Sequence, residues 1–173
     1  MPYSYQNCQP EIQAYLAEYV PLQSEILDVG TGAGAWSDTL RGWGYTAIDG
    51  IEVYEPYVAK FSLLPKYRQL VIADIRDWTL TRQYDLGILG DVLEHLTAED
   101  ARTVLDKLEQ FCHRLLVVVP YLLPQNEYVG NLQETHLQAD LTPALFAARY
   151  PEFVNIAERK VLAVTQGAWV WRR

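Results

Sequence analysis

Ile26-Leu27-Asp28-Val29-Gly30-Thr31-Gly32-Ala33-Gly34-Ala35-Trp36 is the stretch that decides the fold. Residues 25–29 are a short apolar run that reads as a buried strand. Residues 34–43 read as the helix that follows, closed by Gly42 and Gly44. Between the two, Gly30, Gly32 and Gly34 leave room for backbone to approach a ligand closely. The loop alone is weak evidence. Gly30-Thr31-Gly32-Ala33-Gly34-Ala35 also fits the dinucleotide fingerprint, and a tight turn holding nothing would look the same. Glu52, about twenty residues on and at the end of the next strand, could accept ribose hydroxyls from either ligand.

Working outward, helical and strand-like periodicity alternate along the chain. Residues 11–19, with Pro10 ahead of them, put Ile12, Tyr15, Leu16 and Tyr19 on one helix face. Residues 46–51, 68–73 and 84–89 read as further strands, 56–63 as a short helix and 98–111 as a long amphipathic one. Residues 114–119 include Leu115-Leu116-Val117-Val118-Val119, apolar on both faces, as suits a parallel strand covered by helices on both sides. Residues 120–140 are a polar loop, long enough to imply function or mobility. Residues 142–149 form a short helix with Pro143 in its first turn. Residues 153–171 hold two β-rich stretches around Thr165-Gln166-Gly167-Ala168, the pattern of a terminal hairpin. This alternation predicts a doubly wound α/β sheet, mostly parallel, with right-handed crossovers and ligands at the carboxyl ends of the strands.

A chain of 173 residues is the size of one domain, expected over residues 1–173, and 50% hydrophobic residues with 21% charged suit a globular protein. No run approaches the roughly 18 apolar residues of a membrane span. Residues 1–10 lack the basic start and apolar stretch of a secretory signal. Cys8 and Cys112 make neither a metal spacing nor a disulfide framework, so the expected location is cytoplasmic. The net charge of −8 and the absence of a Lys/Arg cluster disfavour broad nucleic-acid binding. The charge reads mainly as solubility, and a small-molecule partner is expected.

Three features separate the readings of the glycine loop. Asp28 stands two residues before the first glycine, where a dinucleotide site usually takes an apolar residue. Asp74, in Ala73-Asp74-Ile75-Arg76-Asp77-Trp78, follows the third strand. Gly87-Ile88-Leu89-Gly90-Asp91-Val92-Leu93-Glu94-His95-Leu96 follows the fourth. With these in order, most of the chain resembles the class I S-adenosylmethionine-dependent methyltransferases. The resemblance implies a Rossmann-like sheet of seven strands, the last antiparallel, which suits the terminal hairpin. It implies that the loop of Gly30, Gly32 and Gly34, with Asp28 before it, lies against the methionine part of S-adenosylmethionine. Glu52 would hold the ribose hydroxyls, Asp74 and the Ile75 backbone the adenine, and Leu89, Gly90 and Asp91 would lie near the amino group.

In methyl transfer the cofactor carries the reactive group, and the protein contributes orientation, desolvation and, where needed, a general base. His95 after the fourth strand and His136 in the 120–140 loop border the acceptor side, whereas His113 reads as a surface residue. Asp91, Glu94 and His95 are spaced i, i+3, i+4 and would share one face of a helical turn. With distant His136 they resemble the metal site of small-RNA 3′-end 2′-O-methyltransferases and of ubiquinone-pathway O-methyltransferases. In those families glutamate stands where this chain has Asp91. The resemblance leaves two readings open: a divalent-ion site made of Asp91, Glu94, His95 and His136, or structural and general-base roles for Glu94, His95 and His136. The loop itself, with Gln125, Glu127, Tyr128, Gly130, Asn131 and Glu134, resembles the corresponding segment of small bacterial and phage methyltransferases and reads as an acceptor-side lid.

Trp169 and Trp171 share a strand face and read as core or dimer contacts, the chain being expected as monomer or homodimer. The favoured function is methyl transfer to oxygen or nitrogen of a small-molecule or glycan-type acceptor. The alternatives are a metal-dependent RNA 3′-end 2′-O-methyltransferase, a cofactor-binding partner subunit without activity of its own, and a nicotinamide dehydrogenase, which Asp28 and Asp74 disfavour.

Overall fold

The computed structural model describes residues 2–173. Seven strands make one sheet: β1 (Ile26–Val29), β2 (Ile48–Glu52), β3 (Gln69–Ile72), β4 (Tyr84–Gly90), β5 (Cys112–Tyr121), β6 (Val154–Val161) and β7 (Val164–Arg172). Their order is β3-β2-β1-β4-β5-β7-β6, with β1 to β5 parallel and β7 antiparallel to both neighbours. The helices are α1 (Gln9–Tyr19), α2 (Ala35–Gly42), α3 (Pro56–Lys60), α4 (Ala98–Phe111) and α5 (Pro143–Arg149). Among the described residues no helix is long and apolar enough to cross a membrane.

Alternation along the strands builds two cores, one on each face of the sheet. Ile26, Ile88, Leu116 and Val118 point to the side covered by Ile12 and Leu16 of α1 and Leu40 of α2. Leu27, Leu89, Leu115 and Val117 point to the side covered by Val104, Leu105 and Leu108 of α4 and Phe146 of α5. The double-sided apolar run in β5 is therefore a central strand, as its sequence predicts. Thr97 Oγ1 caps α4 by accepting from Asp100 N at 3.0 Å, and Thr142 Oγ1 caps α5 by accepting from Leu145 N at 3.1 Å.

The winding reverses between β1 and β4, which are neighbours in space although β2 and β3 intervene in sequence. Clefts of doubly wound sheets open at that point. The terminal hairpin is present, but residues 165–168 are not its turn. They lie inside β7, and the turn is Leu162-Ala163, with Leu162 at φ +55°. Gly167 serves a different purpose. A Cβ there would sit 1.8 Å from Tyr121 Oη, so the glycine lets that ring cross the strand and accept from Trp169 Nε1 at 2.8 Å. Trp169 is in turn stacked on Phe146 at 4.4 Å, a core role.

Candidate active site

All three loop glycines take positive φ: +72° at Gly30, +52° at Gly32 and +78° at Gly34. That conformation strains residues with a Cβ, which is why the strand-to-helix turn is written in glycine. Thr31 Oγ1 and Gly32 N both donate to Glu52 Oε2, at 3.0 and 2.8 Å, and Tyr54 N donates to Oε1 at 2.8 Å. The carboxylate at the end of β2 thus ties the glycine loop to its own strand. Burial raises its pKa, and the three hydrogen bonds oppose that rise.

Above this floor lies a cleft of about 820 Å³, its open mouth included, walled by Gly30 and Gly32, Glu52, Asp74 and Ile75, Gly90 and Asp91. Three residues expected at the cofactor lie outside that lining. Leu89 is buried in the core, and Gly34 faces the Lys66 side chain. Asp28 is buried beneath the loop, where Tyr67 Oη donates to its Oδ2 at 2.7 Å. Burial pushes the Asp28 carboxyl up to about 7 against the effect of that hydrogen bond. At the far wall, Arg76 grips Asp74 through Nε and Nη2, at 3.0 Å to Oδ1 and 2.6 Å to Oδ2, and holds its pKa below the usual range.

Asp91 does not share a helical face with Glu94 and His95. Its φ is +56°, and only residues 93–95 form a turn, a tight 3₁₀ one (Leu93–His95). The left-handed residue swings the Asp91 carboxylate toward β7, where Gln166 Nε2 donates to Oδ1 at 2.6 Å and Tyr5 N donates to Oδ2 at 3.2 Å. Burial still raises it to about 6, opposed by those two donors. The set of four expected from sequence is therefore three. Ligand atoms of Glu94, His95 and His136 lie within 4.8 Å of one another, and Asp91 is not among them.

That trio is held from behind. His95 Nδ1 meets Thr135 O at 3.2 Å, His136 Nδ1 meets Leu123 O at 2.6 Å, and the two rings pack edge-on at 4.6 Å. Burial, with His136 adding to it, lowers His95 to about 4, and burial lowers His136 as well. Glu94 is 1% exposed, and among the described residues neither carboxylate oxygen has a hydrogen-bond partner. Burial, followed by the Asp91 carboxylate, pushes its pKa well up. A smaller pocket of about 240 Å³ borders the trio and is lined also by Tyr3, Tyr5, Asp91 and Gln125. Asp91 and His95 thus form a wall common to both cavities.

The 120–140 loop is ordered by this neighbourhood. Its first two residues belong to β5, and residues 132–134 form a short 3₁₀ turn (Leu132–Glu134). Leu137 N and Gln138 N donate to Glu94 O at 2.7 and 3.0 Å, and Gln138 Nε2 donates to Leu93 O at 2.8 Å. Across the cleft, Tyr57 Oη of α3 donates to Glu134 Oε1 at 2.7 Å. The N-terminal segment closes the remaining side: Ala33 N donates to Pro2 O at 2.8 Å and Ser4 Oγ to Gly90 O at 3.2 Å. Sequence reasoning passed over Tyr57, Ser4 and Gln166. The one available signal was the tyrosine pair Tyr3 and Tyr5 near the start, which line the smaller pocket.

No family model and no curated protein sequence matches the chain. Solved structures match it over nearly its whole length. The N-terminal domain of EvdMO1 with S-adenosylhomocysteine (SAH) bound has a TM-score of 0.68 at 18% identity, covering 98% of this chain and 82% of that one. A methyltransferase from Clostridium acetobutylicum, described as S-adenosylmethionine-dependent, has a TM-score of 0.69 at 10% identity, covering 99% and 93%. The chain has the class I methyltransferase fold. Magnesium protoporphyrin IX methyltransferase from Synechocystis, with S-adenosylmethionine (SAM) bound, shares it at a TM-score of 0.65 and 18% identity, covering 96% and 79%. The class I fold places β7 antiparallel between β5 and β6, as the terminal hairpin implied.

Proposed function

We propose that this chain is a SAM-dependent methyltransferase acting on oxygen or nitrogen of a small-molecule or glycan-type acceptor. The observation that carries the reading is Glu52, bonded to Gly32 N and Thr31 Oγ1 on the wall of a large cleft at the reversal of the sheet. A ribose needs a carboxylate there, and Glu52 retains acceptor capacity beyond the bonds it makes. When bound, SAM supplies the methyl group. Gly30 and Gly32 give it backbone without steric obstruction, and Asp74 with the Ile75 backbone borders the adenine.

The acceptor occupies the smaller pocket beyond Asp91 and His95. Tyr3 and Tyr5 screen it from water, and Gln125 offers a polar contact. Neutral His95 and His136, with Nδ1 committed to carbonyl oxygens, keep Nε2 as the basic atom for a proton leaving the acceptor. The fold relatives crystallised with SAM or SAH support the cofactor assignment. The test is titration of the protein with SAM, SAH and NADH, followed by heat and by melting temperature. Binding of the first two and not of NADH is expected. Binding of none of them, or of NADH alone, overturns the reading.

A further inference from the structure

The wall that carries Asp74 and Ile75 has no helix or strand of its own. Residues 73–83 join β3 to β4 without regular structure, and Ala73, Asp74, Ile75 and Arg76 of this stretch line the large cleft. Local bonds shape part of it. Asp77 N and Trp78 N both donate to Asp74 O, at 3.1 and 2.9 Å, and Arg76 N donates to Asp74 Oδ1 at 2.9 Å. A single turn of this kind fixes several dihedrals for few bonds and does not persist by itself.

The outside hold is Lys107 of α4. Its Nζ donates to Ile75 O at 2.8 Å, to Arg76 O at 2.7 Å and to Trp78 O at 3.1 Å. An ammonium has three protons and no lone pair, so one proton serves each carbonyl. The three carbonyls turn their negative ends to one spot, an arrangement that repels itself unless a cation sits there. A guanidinium, planar with its donors in a fixed fork, does not fill such a point. The lysine stands on a helix whose Val104, Leu105 and Leu108 are in the core, so the anchor is rigid while the loop is not.

We propose that Lys107 is a positioning residue for the cofactor's base: by gathering the carbonyls of Ile75, Arg76 and Trp78 it fixes the loop on which Asp74 meets adenine, and so sets the preference for a 6-amino over a 6-oxo purine. The inference rests on the methyltransferase reading above, which puts adenine at that wall. A carboxylate only accepts, so it favours the exocyclic amine and opposes a carbonyl in the same place. That preference depends on where the carboxylate is held, since hydrogen bonds weaken beyond about 3.2 Å. Arg76, whose carbonyl Lys107 holds, meets the Asp74 carboxylate through N, Nε and Nη2. Three donors on the roughly four acceptor sites of a carboxylate leave one for the amine. Arg76 and, after it, Lys107 keep that carboxyl below its usual range and therefore charged.

The test uses the full chain and two probes, SAH and its inosine counterpart S-inosylhomocysteine, which differ in the 6-amino against the 6-oxo group. Calorimetry reads both in wild type, Lys107→Met and Lys107→Arg. Wild type is expected to bind SAH about tenfold or more tightly than the inosine form. In Lys107→Met the SAH affinity is expected to fall about tenfold with the inosine form little changed, so that the ratio approaches one. Lys107→Arg keeps the charge but serves fewer carbonyls, and its ratio is expected between the two. Hydrogen exchange without ligand reads the loop directly: the Asp77 and Trp78 amides should exchange faster in Lys107→Met, while those of β4 and β5 match wild type and report an intact fold. Should Lys107→Met fail to fold, Lys107→Arg decides by the same ratio. Equal losses for both probes, a ratio unchanged from wild type, or unchanged exchange at Asp77 and Trp78 each overturns the proposal. Wild type that binds neither probe overturns instead the methyltransferase reading on which this role rests, and does so before any substitution is made.

Discussion

Tyr57 Oη donates to Glu134 Oε1 across 2.7 Å, joining α3 on one side of the cleft to the 120–140 loop on the other. Asn131 Nδ2 donates back to the same hydroxyl at 3.2 Å. One residue further along, Thr135 O faces His95, and His136 follows it. The large cleft and the trio of Glu94, His95 and His136 are therefore connected through three consecutive residues. Tyr57→Phe removes the hydroxyl and keeps the ring that packs on Phe61 at 5.2 Å. A hydrogen bond to a charged group contributes about 1.5–3 kcal/mol. We expect the variant to fold, to exchange amide protons faster over residues 125–137, and to bind SAM about tenfold or more weakly. Hydrogen exchange unchanged in that loop would show that the bond does not order it.

Glu52→Gln tests the other end of the cleft. Gly32 N and Tyr54 N donate to different oxygens of Glu52, so the amide can accept from one of them but not both, and it loses the charge that favours ribose hydroxyls. The expected loss is about 1.5–3 kcal/mol of SAM binding, on the order of 10- to 100-fold in Kd, with a lower melting temperature from the backbone N–H left without an acceptor. Calorimetry at fixed salt reads both quantities. An unchanged Kd would remove Glu52 from the site.

The legible parts of this fold were those in which one residue type has one physical meaning. Three alternating glycines between a strand and a helix, and five consecutive apolar residues in β5, led to the right elements. Glu94, His95 and His136 were named together although 41 positions separate the last two, and the structure brings them within 4.8 Å. Errors came where a tertiary contact overrode local pattern. Gly167 looks like a turn residue because its partner, Tyr121, is distant in sequence. The i, i+3, i+4 spacing of Asp91, Glu94 and His95 presumes right-handed backbone, and the φ of +56° at Asp91 breaks it. Tyr57 carries no local signal, since its role exists only once Glu134 is opposite.

Gly90 at the end of β4 gives a packing test. A Cβ there would meet Trp36 Nε1 at 1.8 Å, so the indole of α2 lies directly against this glycine. Gly90→Ala should destabilise the protein by about 1–3 kcal/mol through overpacking, read as a lower denaturant midpoint. The paired variant Gly90→Ala, Trp36→Leu should recover part of that loss relative to Trp36→Leu alone. Additive losses in the double-mutant cycle would show that the two residues do not press on each other.

Asp28 sets a pH dependence whose sign can be worked out. Its carboxyl titrates near about 7 in the folded chain, raised by burial, and near about 3.9 when unfolded. Between those values the native state holds a proton that the unfolded state has released. Stability therefore falls as pH rises through that window, by at most about 1.4 kcal/mol per unit from this group. His95, lowered to about 4 by burial, acts oppositely: the unfolded chain takes up a proton below about 6.5, so its contribution falls as pH falls from there toward 4. Asp28→Asn removes the first effect and leaves the second, and the amide still accepts from Tyr67 Oη. Chemical unfolding at intervals from pH 5 to 8 should show the variant gaining on wild type as pH rises to about 7 and the gain levelling off above it. Parallel curves for the two proteins would mean that Asp28 is ionised in the fold throughout, with Tyr67 alone compensating its burial.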